Sequence, residues 1–248
     1  MRPRLYAPNL TTSPSVVRLP DDEARHLVQV LLATAGDMVS VFDGRGHEWL
    51  GRVTSAGSQG VIVQAIEEIH TAPESSIQIV VAQSVLKAEK MDEVVRDVVM
   101  IGAAALQPVI SSRTAISASA LARGRRVERW QRVALASAKQ SGRAVVPPIR
   151  AVETFDRLIA DVSAGLKVMF VEPSSPGGAR AMSDSLARLP RPAAAIVAIG
   201  PEGGWSSEEI DRARAAGFTL CTLGSRTLRA ERAPLVGLAV LLSCWNEL

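Results

Sequence analysis

Cysteine and histidine are scarce in this chain, and each scarcity removes a class of chemistry. Two cysteines among 248 residues, Cys221 and Cys244, exclude a disulfide framework and a cysteine metal cluster. Both sit among apolar neighbours and read as buried thiols. The three histidines, His26, His47 and His70, all fall early in the chain and read as surface or turn residues. No serine–histidine–carboxylate spacing follows from them, nothing supports metal catalysis, and no metal is expected. No apolar run reaches the roughly 20 residues that a bilayer-spanning helix needs. The start, Met1-Arg2-Pro3-Arg4-Leu5-Tyr6, has basic residues but no apolar core like that of a signal peptide. No Gly-x-Gly-x-x-Gly follows a first strand, and no Walker-type lysine follows a glycine loop, so neither a dinucleotide fingerprint nor a P-loop is present. A soluble, cytoplasmic protein with no membrane partner is the expectation.

What remains is ordinary globular material, 47% hydrophobic and 21% charged, in amounts that argue against disorder. The net charge of +3 does not by itself indicate a nucleic-acid partner. Its distribution does. Residues 1–72 carry six arginines against eight carboxylates, a balance of 6 − 8 = −2, whereas residues 111–150 carry nine Lys/Arg against one Glu, 9 − 1 = +8. A local excess of that size is the footprint a polyanion would use.

Two patterns divide the chain. Over residues 1–72, Val39 to Phe42, Glu48 to Thr54 and Val61 to Ile69 read as short strands, with turns at Asp43-Gly44-Arg45-Gly46 and Ala56-Gly57-Ser58. One helix is expected over Asp21 to Ala33, with Leu27, Val30 and Leu31 on one face. A small β-barrel domain is the natural architecture, and Thr71 to Ser75 reads as its linker. Over residues 73–248 strands alternate with helices, the mark of a mostly parallel sheet. Strands are expected at Ile77 to Gln83, Leu106 to Ile110, Leu166 to Val171, Ala194 to Ile199 and Phe218 to Leu223. Helices are expected at Lys90 to Ile101, Arg125 to Ser141, Glu153 to Val162, Ala179 to Leu189, Ser207 to Ala216 and Pro234 to Trp245. Ser206 and Glu209 form a capping box at the head of one of these helices, and Gly217 ends it.

Two glycine-marked loops are the most informative features. Ile199-Gly200-Pro201-Glu202-Gly203-Gly204-Trp205 leaves one strand, and Leu223-Gly224-Ser225-Arg226-Thr227-Leu228-Arg229-Ala230-Glu231 leaves another. Two strand–loop–helix units so close in sequence place both loops at the carboxyl ends of neighbouring parallel strands, where open α/β sheets bind small ligands. Glycine permits close backbone approach and positive φ. With Val171-Glu172-Pro173-Ser174, three loops stand at strand ends. Their main-chain groups can read a ligand's polar edge, and Glu172, Glu202 and Glu231 are the acidic side chains available. Upstream, Arg125, Arg129, Arg132, Lys139 and Arg143 follow at steps of 4, 3, 7 and 4. The first four share one side of a helix, opposite Val127, Trp130, Val133 and Ala134, and only Glu128 offsets them locally. The stripe reads either as a phosphate-binding face or as a solvated one.

The two glycine loops with these flanks resemble those of the RsmE-type family of SPOUT methyltransferases, and the likeness runs nearly the whole chain. Arg4-Leu5-Tyr6, His26-Leu27 and Gly36-Asp37 through Phe42-Asp43-Gly44 look like that family's PUA-like RNA-binding barrel. Lys87-Ala88-Glu89-Lys90-Met91 matches its Lys-x-x-Lys-Met segment, and Gln140-Ser141-Gly142-Arg143 its Gln-x-x-Arg segment. The resemblance implies a SPOUT-type α/β domain with a C-terminal trefoil knot over residues 73–248, preceded by the barrel over 1–72. It implies methylation of N3 of a uridine in 16S ribosomal RNA from S-adenosylmethionine, by a homodimer. The cofactor would be held by Val171, Glu172, Ile199, Gly200, Pro201, Glu202, Gly203, Gly204, Leu223, Gly224, Leu228, Arg229 and Ala230. Arg229 would favour deprotonated uracil, or else brace the loop against Glu231, which joins it as a candidate catalytic residue. RNA contacts would fall to Arg4, Lys87, Lys90 and the basic stripe. On the last helix, Leu235, Leu238, Leu242 and Trp245, widened by Val236 and Val240, would form the dimer face.

The chain departs from the family at several points. Met100-Ile101-Gly102 stands where Glu-Leu-Gly is usual, the Lys that is usual near Asp97 and the Arg that is usual near Leu32 are missing, and Arg232 stands where a small Thr follows the loop's glutamate. These departures keep two other readings open: a non-catalytic RNA-binding or ribosome-assembly protein that retains the fold, and a SPOUT methylase of another base.

Overall fold

The computed structural model describes residues 2–11, 15–57, 60–116, 121, 125–161, 165–175, 179–182 and 191–248. In chain order its elements are β1 (Arg4–Tyr6), β2 (Val16–Arg18), α1 (Asp21–Arg25), a π-helical turn (His26–Val30), β3 (Met38–Phe42), β4 (Glu48–Gly57) and β5 (Gly60–Glu68). There follow β6 (Gln78–Ser84), α2 (Lys90–Ile101), β7 (Ala105–Ile110), α3 (Arg126–Ser141), β8 (Glu153–Thr154), α4 (Phe155–Asp161), β9 (Leu166–Phe170) and β10 (Arg180–Ala181). The last are β11 (Ala194–Ile199), α5 (Ser207–Ala215), β12 (Thr219–Thr222) and α6 (Ala233–Cys244). The helix expected over Ala179 to Leu189 lies mostly outside the described residues, and its first positions form β10. The chain divides into two compact units, Met1–Glu74 with Ala138–Val146, and Ser75–Ser137 with Pro147–Leu248.

The first unit is a five-stranded sheet in the order β1-β3-β4-β5-β2, antiparallel except for β1 beside β3. The end strands β1 and β2 are not paired with each other, so the sheet is open where a closed barrel would join them. Val61, Val63 and Ala65 alternate inward, as a strand's period of two requires, and meet Leu5, Val17, Leu27, Val41, Trp49 and Val53 in one core. Each such aliphatic side chain, fully buried, contributes roughly 1.5–3 kcal/mol. The expected helix over Asp21 to Ala33 is cut short. α1 gives way to the π turn after Arg25, and Leu32 takes a left-handed φ of 54°. The wider turn rotates the apolar face, so Leu27 is buried while Val30, Leu31 and Leu32 are 65%, 43% and 76% exposed.

Arg4 joins β1 to the end of α3. Its Nε and NH2 donate to the Glu48 carboxylate at 3.0 and 2.8 Å, and Ser40 Oγ donates to the same carboxylate at 2.7 Å. Arg4 NH1 donates to the carbonyl of Ala138 at 3.0 Å and NH2 to that of Arg143 at 2.8 Å. A cation among the last carbonyls of a helix also complements its dipole.

The second unit is a seven-stranded, wholly parallel sheet in the order β10-β12-β9-β11-β6-β7-β8. All its strands therefore end at one edge. The strands that precede the two glycine loops, β11 and β12, are not neighbours. β9 lies between them, pairing with both, because the chain returns to the far side of β9 for its last strand. α6 packs on α2 and on β11. Gly237 makes its close approach possible, since a Cβ there would overlap the Phe170 ring of β9. Leu238, Leu242 and Trp245, expected to face a second subunit, are buried within the chain itself. Cys221 is buried in β12, but Cys244, expected to be buried, is exposed, because as the last residue of α6 it falls on the side of the helix away from the buried Leu241, Leu242 and Trp245. Among the described residues no helix is long and apolar enough to cross a membrane.

Candidate functional site

The carboxyl edge of the parallel sheet carries three adjacent loops, after β9, β11 and β12, and a cavity of about 370 Å³ opens among them. The loop after β11 is fastened from three sides. Gln83 Nε2 donates to the Gly200 carbonyl at 3.1 Å, Trp205 Nε1 to the Phe170 carbonyl at 3.0 Å, and Arg113 NH1 to the Gly203 carbonyl at 2.8 Å. Below them the capping box at the head of α5 forms as expected. Its Glu209 carboxylate also accepts from the main-chain N–H and hydroxyl of Ser112, at 2.7 and 2.9 Å. Gly204 has a φ of 67°, and a Cβ there would stand 3.1 Å from Glu172 Oε1; only glycine meets both conditions without strain. The loop after β12 turns through Gly224, at a φ of 88°. It closes where the N–H groups of Arg232 and Ala233 donate to the Arg229 carbonyl at 2.9 and 3.1 Å.

Of the expected ligand-binding residues, Val171, Glu172, Ile199, Gly200, Pro201, Glu202, Gly204, Leu223, Leu228, Arg229 and Ala230 line this one cavity, together with Glu231 and Lys90. Gly203 and Gly224 do not. Gly203 instead leans on Arg113, whose Cβ would lie 3.3 Å from a Cβ at that position. The wall also contains Phe170, Pro173, Trp205, Arg226, Thr227 and Ala233. Trp205 was not among the expected residues, although its place directly after the glycines is a signal that could have found it. Arg113, Gln83 and Glu209 act from outside the cavity through contacts that no sequence spacing signals.

The electrostatics centre on Lys90. Its Nζ lies 3.4 Å from Glu202 Oε1 and 3.6 Å from Glu231 Oε2. Burial pushes the Glu202 carboxyl up, but its own N–H, the N–H of Lys87 and the Lys90 ammonium outweigh that and hold it below its ordinary value. Glu231 is 5% exposed, and its Oε2 has no hydrogen-bond partner. Arg229 stands on the rim, 84% exposed, with NH1 4.0 Å from Glu231 Oε1. Its guanidinium therefore remains open to a ligand. Among the described residues no group of three or more His, Cys, Asp or Glu is placed to hold a metal ion.

The basic stripe is more engaged than its sequence indicates. Arg125 Nε pairs with Glu128 at 2.6 Å. Arg129 pairs with Asp92 and, at 3.9 Å, with Glu89. Lys139 meets Glu23 at 2.7 Å. Arg143, 8% exposed, donates through Nε to Glu74 at 3.0 Å. The linear pattern offers these cations only Glu128; folding adds Glu23, Glu74, Glu89 and Asp92, from α1, α2 and the segments around them. Arg4, Lys139 and Arg143, expected among the RNA contacts, are thus held in ion pairs inside the first unit. Arg132 is exposed.

A parallel α/β domain whose strand ends surround a cavity with glycine-shaped walls, preceded by a small five-stranded domain, defines a class of ligand-binding α/β protein. Within that class the chain belongs to the RNA methyltransferase family. It matches the family's RNA methyltransferase domain over residues 73–242 and its RNA methyltransferase PUA domain over residues 19–66. It is similar to the Ribosomal RNA small subunit methyltransferase E of Synechocystis sp., with 32% identity covering 91% of this chain and 72% of that protein. It is similar to the protein of the same name from Bacillus subtilis, with 28% identity covering 89% and 87%. The crystal structure of a Ribosomal RNA small subunit methyltransferase E from Neisseria gonorrhoeae, bound to S-adenosyl methionine, matches with a TM-score of 0.88 and 32% identity, over 99% of this chain and 98% of that one.

Proposed function

We propose that the chain transfers the methyl group of S-adenosylmethionine to N3 of a uridine in 16S ribosomal RNA of the small subunit. The observation that carries this reading is the single cavity formed by the three strand-end loops, in a chain that matches an S-adenosyl methionine-bound relative over 99% of its length. The residues present fit the cofactor. Ile199, Leu223, Leu228 and Trp205 supply apolar walls, the glycine loops supply main-chain donors and acceptors, and the orphaned Glu231 Oε2 supplies an acceptor that a ligand donor would satisfy.

The cofactor brings a methyl group already activated on a sulfonium. The chain's own residues then bind and orient. Val171, Ile199, Gly200, Pro201, Leu223, Leu228 and Ala230 would hold the nucleoside part through main-chain groups and apolar contact. Gly203, Gly204 and Gly224 would set the loop shapes. Glu172, Glu202 and Glu231 line the cavity, and their negative charge would favour a cationic ligand. Arg229, open on the rim, would stabilise uracil that has lost its N3 proton. Proximity and orientation in the cavity would contribute to such an acceleration. The RNA would meet Lys87 and Lys90 near the mouth, Arg125 just before α3, and Arg129 and Arg132 on it.

We read the last strands and loops as a trefoil knot, supported by the return of the chain across β9 to lay down β12 before α6 packs back on α2 and β11. We read the assembly as a homodimer and its place as the cytoplasm. With Leu238, Leu242 and Trp245 used internally, support for the dimer comes from Val236 on α6 and Met100 on α2, large apolar side chains 37% and 38% exposed on two helices that pack together. The test is nucleoside mass spectrometry of 16S ribosomal RNA from a deletion strain and its complemented parent, with calorimetry against S-adenosylmethionine. Loss and restoration of 3-methyluridine is expected. Cofactor binding without that change would overturn the substrate, and no cofactor binding would overturn methyl transfer.

A further inference from the structure

Arg232 is the departure from the family pattern that stands nearest the cavity, yet its side chain is not in the wall. The lining runs from Arg226 to Glu231 and resumes at Ala233. The guanidinium turns to α2 instead, where NH2 donates to Glu93 Oε2 at 2.7 Å and NH1 to Asp97 Oδ2 at 3.4 Å. Lys90, Glu93 and Asp97 follow one another at helical steps of three and four and share one face of α2. Opposite stand Glu231 and Arg232, consecutive at the head of α6. The charges match crosswise, cation to anion at Lys90–Glu231 and anion to cation at Glu93 and Asp97 with Arg232.

An isolated ion pair as exposed as Arg232 adds little to stability. Its place in the chain gives it a different role. The Arg232 main chain closes the turn that sets Arg229, Ala230 and Glu231 in the wall, and Glu231 there is buried with one oxygen lacking a hydrogen-bond partner. The Lys90 ammonium meets that oxygen only at 3.6 Å, beyond hydrogen-bond reach, and a buried acceptor left without a hydrogen bond is costly, so contacts outside the cavity help to hold it there. Asp97 in turn depends on Arg232. Burial pushes its carboxyl up and Glu93 adds to that, while Arg232 and Arg96 pull it down, and the balance stays above its ordinary value. Without Arg232, Glu93 and Asp97 would repel each other across one turn of α2.

We propose that Arg232 is a positioning residue for methyl transfer: its grip on Glu93 and Asp97 holds the head of α6 against α2 and so keeps the Glu231 carboxylate in the cavity wall opposite Lys90. The inference rests on the proposed methyl transfer.

The test uses the full-length protein with S-adenosylmethionine and small-subunit ribosomal RNA. Arg232→Met keeps the length and removes the charge; kcat should fall about tenfold to hundredfold, the range expected for a displaced reacting group. Arg232→Lys, a single charge that cannot fork between two carboxylates, should recover part of that rate. Glu93→Gln with Asp97→Asn removes the grip from the other side and should lower kcat similarly, and combining it with Arg232→Met should add nothing further. The dependence of RNA affinity on log salt should stay at the wild-type slope in every variant. A reduced slope with unchanged kcat at saturating RNA would make Arg232 a phosphate contact and overturn the proposal. Unchanged kcat together with unchanged slope would reduce the cluster to a surface ion pair and overturn it too. A wild-type protein that takes up no cofactor would instead remove the methyl-transfer reading, an outcome separable from both.

Discussion

Arg4 in the first unit, expected to contact RNA, and Arg229 in the second, expected to act on the uracil, are both functional candidates by sequence, and the fold treats them in opposite ways. Arg4 is held by the Glu48 carboxylate, the carbonyls at the end of α3 and the Phe42 ring 4.1 Å from its guanidinium carbon. Lys139 and Arg143 in the same unit are likewise matched to Glu23 and Glu74. Around the cavity the balance is reversed. Arg229 is 84% exposed, with only a 4.0 Å approach to Glu231, and it is a carboxylate oxygen that lacks a hydrogen bond. Satisfied polar networks hold a unit together, while unsatisfied groups at a cavity mark where a ligand completes them. By that criterion Arg4 and Arg143 serve the fold of the first unit, and the rim of the second unit is where the proposed ligand would complete the site.

The sharpest way to break this contrast is Arg4→Ala. It would leave the 7%-exposed Glu48 without its cation, and breaking a pair this buried costs about 3–5 kcal/mol. Urea unfolding should show that loss, while the salt dependence of RNA binding stays as in the wild type. A stable variant with a shallower salt slope would move Arg4 to the RNA face.

A smaller effect on folding but a large one on binding is expected from Gly204→Val. The left-handed φ costs a β-branched residue of order 1–3 kcal/mol, and the new side chain would press on Glu172 from the cavity wall. S-adenosylmethionine affinity should fall about a hundredfold or more, the scale of an ångström-level misplacement. Calorimetry on the folded variant reads this directly, and unchanged affinity would place the cofactor elsewhere.

The smallest change tests the stripe on α3. Replacing Arg125 and Arg132 by Ala should lower the slope of log affinity against log salt by roughly 0.7–0.9 for each phosphate that α3 no longer neutralises, with cofactor affinity unaltered. Since Arg125 is shared with Glu128 whereas Arg132 is exposed, Arg132→Ala alone should account for most of the change. An unaltered slope would leave α3 a solvated face.

Much of this architecture is local and was therefore legible in the sequence. α2 and β11 lie where apolar periodicity puts them, residue for residue, and the capping box at Ser206 and Glu209 forms because its parts are three residues apart. The glycine loops declare themselves because close backbone approach and positive φ demand a particular residue at a particular place. The tertiary structure decided what depends on residues far apart in the chain. It placed β9 between the two glycine-loop strands, it ended α1 early in a π turn, and it turned Leu238 and Leu242 inward. It also supplied Glu23, Glu74 and Asp92 to cations that the linear pattern left unmatched, and Glu93 and Asp97 to Arg232. The reason is physical. Periodicity and capping act over a few residues along one element, whereas a charge is neutralised by whichever carboxylate packing brings within about 4 Å of it, and that distance exists only once the chain has folded.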